Sequence, residues 1–471
     1  MNKPVNDAVF TKGPTMKHVV VMSSTSAVGL MAIFIVDLID MFFLGLLGEA
    51  ELAAAIGYAG TILFFTTSIN IGAAIATGAL TSRAIGQQEK EAARTVASNS
   101  ILFAAVFALI FSCIIWFNIP NLLTLLGASG KTLELAITYL TILVPSMAIL
   151  AVGMCASSVL RATGDAKGAM YATLVGGGVN LVLDPILIFA LDMGISGAAW
   201  ASVAARVAVF AVAVWGAAIK HALIGRFSLS SFRTHLSEVL KIALPAMLTN
   251  AATPLGNAYV IKTVASFGDS AVAGMSIVGR LTPVAFGIIF ALSGAIGPII
   301  GQNYGAGNLH RVKQTIIDSL KFSGALVCGI SLLLYVLQHL IIQTFGATAE
   351  SAEMISAFCT WVAGTFFFTG MVFIANASFN NLGFPLYSTA NNFCKAIITT
   401  VPCVYLGALW AGHTGVLYGQ AISSIIVGTL SLWFCFKLIN SLDKNETPPP
   451  SSKHHGFHLR FPRWSMSNTR G

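Results

Sequence analysis

The sequence predicts an all-α polytopic membrane protein, with twelve transmembrane helices in two pseudo-symmetric six-helix bundles. Three observations predict it. Of 471 residues, 56% are hydrophobic and 9% are charged, whereas a soluble domain is about 25% charged. Mean hydropathy is +0.81. Lys and Arg gather in alternate segments between apolar stretches, as they do when every second loop faces the cytoplasm. This composition excludes a disordered chain, a disulfide scaffold and a conventional cytosolic enzyme.

A helix needs about 20 apolar residues to cross the hydrocarbon layer. Stretches of that kind lie at 17–46, 52–81, 95–118, 133–157, 168–191 and 196–219, and then at 239–262, 271–299, 314–343, 352–377, 386–410 and 414–438. Several contain Gly, Ser or Pro, which membrane helices tolerate because neighbouring groups satisfy the freed backbone. Some exceed the bilayer thickness, so tilt or projection is expected. Between them lie a polar segment 1–16, a linker 220–238 and a polar, Pro-rich tail 441–471. The linker separates an N-lobe (17–219, spans 1 to 6) from a C-lobe (239–440, spans 7 to 12). The polar start and the length of the first stretch argue against a cleavable signal peptide.

With the N-terminus inside, cytoplasmic segments and span ends hold 21 of the 26 Lys and Arg. Outer loops carry Glu49, Glu51, Asp192, Asp269, Glu350 and Glu353. The expected placement is multi-pass in a bacterial inner membrane with both termini cytoplasmic. The net charge of +8 is thereby explained by topology, and no nucleic-acid partner is needed.

The halves read as copies. Gly48 matches Gly268, Gly86 matches Gly305, Gly164 matches Gly383 and Gly197 matches Gly415, at offsets of 218 to 220. Six spans is an even number, so both copies insert in the same sense and their pseudo-two-fold runs along the membrane normal. A cleft between two such lobes suits alternating access.

Fifteen of the 18 Asp and Glu lie in loops or near span ends, and three sit inside spans: Asp37, Asp40 and Asp184. A charge at the centre of a lipid-embedded helix costs at least about 2.5–3.5 kcal/mol, so each demands a reason. Asp37 and Asp40 share one face of span 1, and Asn180 and Asp184 share one face of span 5. Pro185 cannot donate to the Leu181 carbonyl. These hard oxygen donors suit Na+ or a proton. The alternative is structural, with the carboxylates paired to Arg206 in span 6 or bonded between helices.

Several segments resemble the multidrug and toxic compound extrusion (MATE) family: DMFFLGLLGEAELAAA (40–55), LRATGDAKGAMYATLVGGGVNLVLDPILIF (160–189), GISGAAWAS (194–202) and IGQNYGAGN (300–308). The resemblance implies a secondary-active antiporter that exports amphipathic, mostly cationic organic compounds in exchange for H+ or Na+. It places Asp40, Asn180, Asp184 and Ser202 in an N-lobe ion site, with Tyr139 joining their network. Asp37 is an extra carboxylate that the motif does not secure. A substrate cavity is expected to draw on Phe64, Asn250, Asn257, Arg280, Asn376 and Lys395. Span 7 (LPAMLTNAATPLGN) and span 10 carry Asn where NorM-type members carry acids, which points to the DinF-like branch. That branch commonly has a Pro early in span 1; VMSSTSAVG (21–29) has none, so Ser and Thr are left to loosen that turn.

The implied protein has no cofactor beyond its coupling ion, no resident metal beyond Na+ at Asp40, Asn180 and Asp184, and works as a monomer among membrane lipids. The seven Cys form no C-x-x-C and read as buried apolar groups. Neither a Walker A motif nor a Gly-x-Ser-x-Gly elbow occurs, so an enzyme is not expected. The rival reading is a lipid-linked precursor flippase, for which Lys262, Arg280 and Lys395 would supply a basic cavity.

Overall fold

The computed structural model describes residues 8–444, apart from 46, 48–49, 226–228 and 348. Residues 1–7 of the expected N-terminal segment, 226–228 of the linker and 445–471 of the tail lie outside the described residues.

The described chain is helical throughout. In the N-lobe, α1 is Thr15–Gly45, α2 Ala50–Gly86 and α3 Lys90–Leu125. α4 is Gly130–Leu143 and Met147–Ala162, joined by a tight turn at Val144–Ser146. α5 is Ala166–Pro185 and α6 is Gly194–Trp215. In the C-lobe, α7 is Leu229–Ala265, α8 Asp269–Gly305 and α9 Leu309–Thr344. α10 starts at Ala349–Ala357 and ends with Phe366–Leu382. α11 begins with Pro385–Phe393 and runs to 410, and α12 is 413–444.

Ten helices among the described residues are long and apolar enough to cross a membrane. Pro385–Lys444 counts as one of them at 60 residues, but it holds two predicted spans. The backbone leaves helical geometry at Ala411 and Gly412 and folds back on itself. A Cβ at Gly407 would fall on the Gly415 carbonyl, and one at Gly419 on the Cys403 carbonyl. Only glycine permits so close a hairpin. The remaining predicted span, 239–262, lies in α7, whose Asn250, Asn257 and Lys262 make it more polar. α7 starts ten residues before that span, so much of the expected linker is helical.

The two copies superpose in register. α2 and α8 are both 37 residues long and start 219 residues apart. α3 and α9 are both 36 residues long at the same spacing. The tight turn Val144–Ser146 recurs at Ala363–Thr365. Gly164 and Gly383 both take the left-handed conformation, at φ +87° and +93°, ending equivalent helices with a residue that lacks Cβ strain.

Each break has a cause. Pro145 removes the N–H that would bond Thr141, and the freed Thr141 carbonyl takes the Trp116 indole N–H instead, at 3.2 Å. Pro185 does the same in α5, where the ladder re-registers into a wide turn over Ile186–Ala190. Such wide turns recur at functional positions. α1 is one uninterrupted helix. Ser23 Oγ, in the stretch expected to loosen it, has no hydrogen-bond partner.

The lobes meet through α1 against α8, and α2 against α7 and α8. At the end where Arg83, Arg161, Lys220 and Arg311 collect, here called the basic end, the approach is closest. A Cβ at Gly86 would fall on the Gln302 carbonyl, and a Cβ at Gly305 on the Arg83 carbonyl. These contacts are pseudo-symmetric mates. Farther from that end the facing sides of α2 (Ala54, Gly57, Thr61, Phe65) and α8 (Ala273, Ser276, Arg280, Val284) are exposed. The lobes therefore form a V, closed at the basic end.

The R-x-x-G-D loop is clasped to the end of α6. Asp165 Oδ2 accepts from Lys220 Nζ at 2.6 Å and faces His221 Nε2 at 2.9 Å, while Oδ1 accepts the Gly168 N–H at 3.0 Å. The His221 bond, then Lys220 and the Gly168 amide, hold this carboxyl well below the usual carboxylate range. Asp165→Asn should cost about 1–3 kcal/mol at neutral pH. A depressed native pKa stabilises above the unfolded value of about 3.9, so the gap between wild type and variant should close as pH falls below it. Thermal unfolding across pH 3–7 checks this.

Candidate functional site

Asp40 lies near the end of α1, and Asn180 and Asp184 lie one turn apart on α5. Glycines bring the two helices together: Gly29 seats against Met170 and Thr173, and Gly177 against Val36. Asn180 is 4% exposed and Asp184 0%, while Asp40 is half-buried.

Asn180 ties the carboxyls together. Its Nδ2 donates to Asp40 Oδ1 at 2.8 Å and to Asp184 Oδ2 at 2.7 Å. Both amide hydrogens are then used, which fixes the amide's orientation. The Asp40 and Asp184 carboxyls also lie within hydrogen-bonding reach of each other. Asp184 Oδ1 is buried with no donor. Two bare carboxylates about 4 Å apart in a partly buried setting repel by about 4 kcal/mol. An added positive charge would relieve that repulsion, and the two carboxyls as placed have no cationic partner among the described residues.

Arg206 does not supply that charge. Its Nη1 donates to the Leu143 carbonyl at 3.0 Å and to Ser146 Oγ at 2.7 Å, capping the break in α4. The structural alternative of an Asp–Arg206 pair is thus not realised. Tyr139 lies beside Ser202 and near both carboxyls, and it packs on Leu44, Ile188 and Ala198. Asp37 is exposed on α1. It stands apart from the Asn180 bridge.

The C-lobe residues are dispersed. Asn376 is 5% exposed and sits inside a neutral network instead of on a cleft wall. It donates to Asn392 Oδ1 at 3.1 Å and accepts from Asn391 Nδ2 at 2.9 Å. Asn392 donates to the Thr249 carbonyl at 3.3 Å, and Ser431 donates to Asn391. Asn250 bonds the Ala246 carbonyl of its own helix at 2.8 Å. Phe64, Asn257 and Arg280 are exposed. Lys395 lies in a wide turn, Cys394–Thr399, and is half-buried. Neither Arg280 nor Lys395 has an acidic partner among the described residues. No group of three or more His, Cys, Asp or Glu gathers as a metal cluster among them.

Reading the sequence missed one role, that of Arg206, and one residue, Gln302. The capping role of Arg206 had a signal in Pro145, which announces a break in α4 whose carbonyls need other donors. Gln302, which is 0% exposed and bridges the lobes, had none beyond its place in IGQNYGAGN.

Comparison with known proteins agrees with this architecture. The MatE family model matches residues 26–186 and 245–406, two segments in the same register as the helices. A protein named FAD transporter from Shewanella oneidensis is 28% identical over 418 residues, 86% of this chain and 91% of that one. Multidrug export protein MepA from Staphylococcus aureus is 23% identical over 440 residues, 92% and 96% of the two chains. An outward-facing structure of a multidrug resistance MATE family transporter superposes with a TM-score of 0.88 at 22% identity, covering 94% of this chain and 100% of that one. This multi-pass membrane protein belongs to the MATE family of transporters.

Proposed function

We propose that the protein is a secondary-active multidrug efflux antiporter that exports amphipathic, mostly cationic organic compounds in exchange for H+ or Na+. The supporting observation is the Asp40–Asn180–Asp184 constellation, in which two carboxyls share one amide, no arginine pairs with them and the buried Asp184 Oδ1 has no donor. In the state open away from the basic end, an ion reaches the carboxyls and neutralises them. The N-lobe helices then repack and substrate leaves outward. The return step delivers the ion at the basic end, which the positive-inside pattern assigns to the cytoplasm. Only a difference in ion affinity between the two states can drive this cycle. Tyr139 and Ser202 orient the site, and Asp37 guides the ion toward it. The DinF-like branch rests on neutral Asn250, Asn257 and Asn376 in the C-lobe.

A second reading is favoured by the exposed Arg280 and by the relative named FAD transporter: an anionic aromatic amphipath as substrate. Phe64 and Phe65 on α2 would then pair with a cation on the facing wall.

In purified-protein vesicles with pH and sodium gradients varied independently, efflux of a cationic dye should follow one gradient. Asp40→Asn and Asp184→Asn should each lower gradient-driven efflux at least tenfold. Wild-type rates in both variants would remove the proposed site. Asn180→Ala should reduce efflux less, by about tenfold or under. Arg280→Gln should leave dye efflux intact and reduce FAD efflux only if the second reading holds.

A further inference from the structure

The polar residues ahead of α1 are built into the closed end of the V. Phe10 is 2% exposed and packs with Val19, Met22 and Ala166 against Leu292, Ile296 and Ile299 of α8. Its ring also lies where a Cβ at Gly164 of the N-lobe would touch it. The Phe10 N–H donates to Gln302 Oε1 at 2.9 Å. The Phe10 carbonyl accepts from Asn303 Nδ2 at 3.1 Å and Arg311 Nη2 at 2.9 Å. Arg311 Nη2 also reaches the Gly13 carbonyl at 2.9 Å. Gly13 presents that carbonyl from φ +71°, a conformation that L side chains resist. Thr15 Oγ1 then donates to Asp318 of α9.

Gln302 makes this a bond between lobes. Its Nε2 donates to the Ala162 carbonyl of the N-lobe at 2.7 Å, while its Oε1 receives Phe10. The Gly86 and Gly305 contacts close around it. If the basic end opens, α2 and α8 separate there, and the bridge from Ala162 through Gln302 to Phe10 must break.

We propose that Ala8–Pro14 is a bolt, held by Gln302, Asn303 and Arg311, that must leave its seat before the protein can open at the basic end. The proposal rests on the alternating-access reading above. α1 links the bolt to the ion site: its first turns pack on the C-lobe, and its last turns carry Asp40 against α5. Gln302 is a positioning residue in this scheme.

The test uses the full chain in lipid nanodiscs, with native cysteines replaced and spin labels at Glu91→Cys and His310→Cys. Both positions are exposed at the starts of α3 and α9 and are equivalent in the repeat. Wild type should give mainly one short distance. Gln302→Leu, Phe10→Ala and the milder Gly13→Ala should each raise a longer-distance population at least threefold, whereas Phe10→Leu should stay close to wild type. Unchanged distances in folded Gln302→Leu and Gly13→Ala protein would overturn the bolt, as would lowered melting temperatures with no change in distance. The readout needs neither gradient nor substrate. Loss of ion coupling in the transport assay would therefore sink the antiport reading without altering this result.

Discussion

A single amide holds the centre of this protein. Asn180 spends both of its hydrogens on two carboxyls that would otherwise repel each other in a partly buried site. Without a bridging donor, Asp40 and Asp184 would have no reason to face one another across α1 and α5. With it, they converge and leave one oxygen unsatisfied. Buried acceptors are normally paired, and the proposed antiport cycle uses this unpaired oxygen as the place a transient proton or cation occupies. Arg206 does not fill it: its Nη1 is engaged at the break in α4.

Much of this was legible in the chain. Asp40 and Asp184 stood out because so few charges lie within spans, and Asn180 because it sits one turn from Asp184. The duplication was visible in four glycine pairs, and the structure places the helix ends in the same register. Other features depend on partners distant in sequence. Asn376 looks like a cavity residue from its position, yet Asn391, Asn392 and Ser431 close around it. The stretch before α1 is polar and lacks periodicity, and its backbone carbonyls are what Arg311 and Asn303 recognise. Backbone recognition leaves no side-chain pattern to read. The count of spans was legible from hydropathy, although α7 is more polar than its neighbours and α11 and α12 share one continuous apolar run.

α1 connects the two themes. Its basic-end half belongs to the C-lobe core and its other half to the N-lobe. In the proposed cycle, a rigid helix anchored in both lobes would carry a local change at Asp40 to the closed end of the V. Helix α1 has no proline to absorb such a change, and no serine–carbonyl bond at Ser23 to soften it. Movement would therefore pass to its ends, where Asp40 and the Thr15–Asp318 bond lie.

The most direct measurement is infrared difference spectroscopy of the purified protein in lipid, stepped through pH at fixed sodium and through sodium at fixed pH. The expected result is a protonated-carboxyl band that disappears on raising pH or adding Na+ and is absent from both Asp40→Asn and Asp184→Asn. A spectrum with no such band, or a band untouched by either substitution, would contradict it.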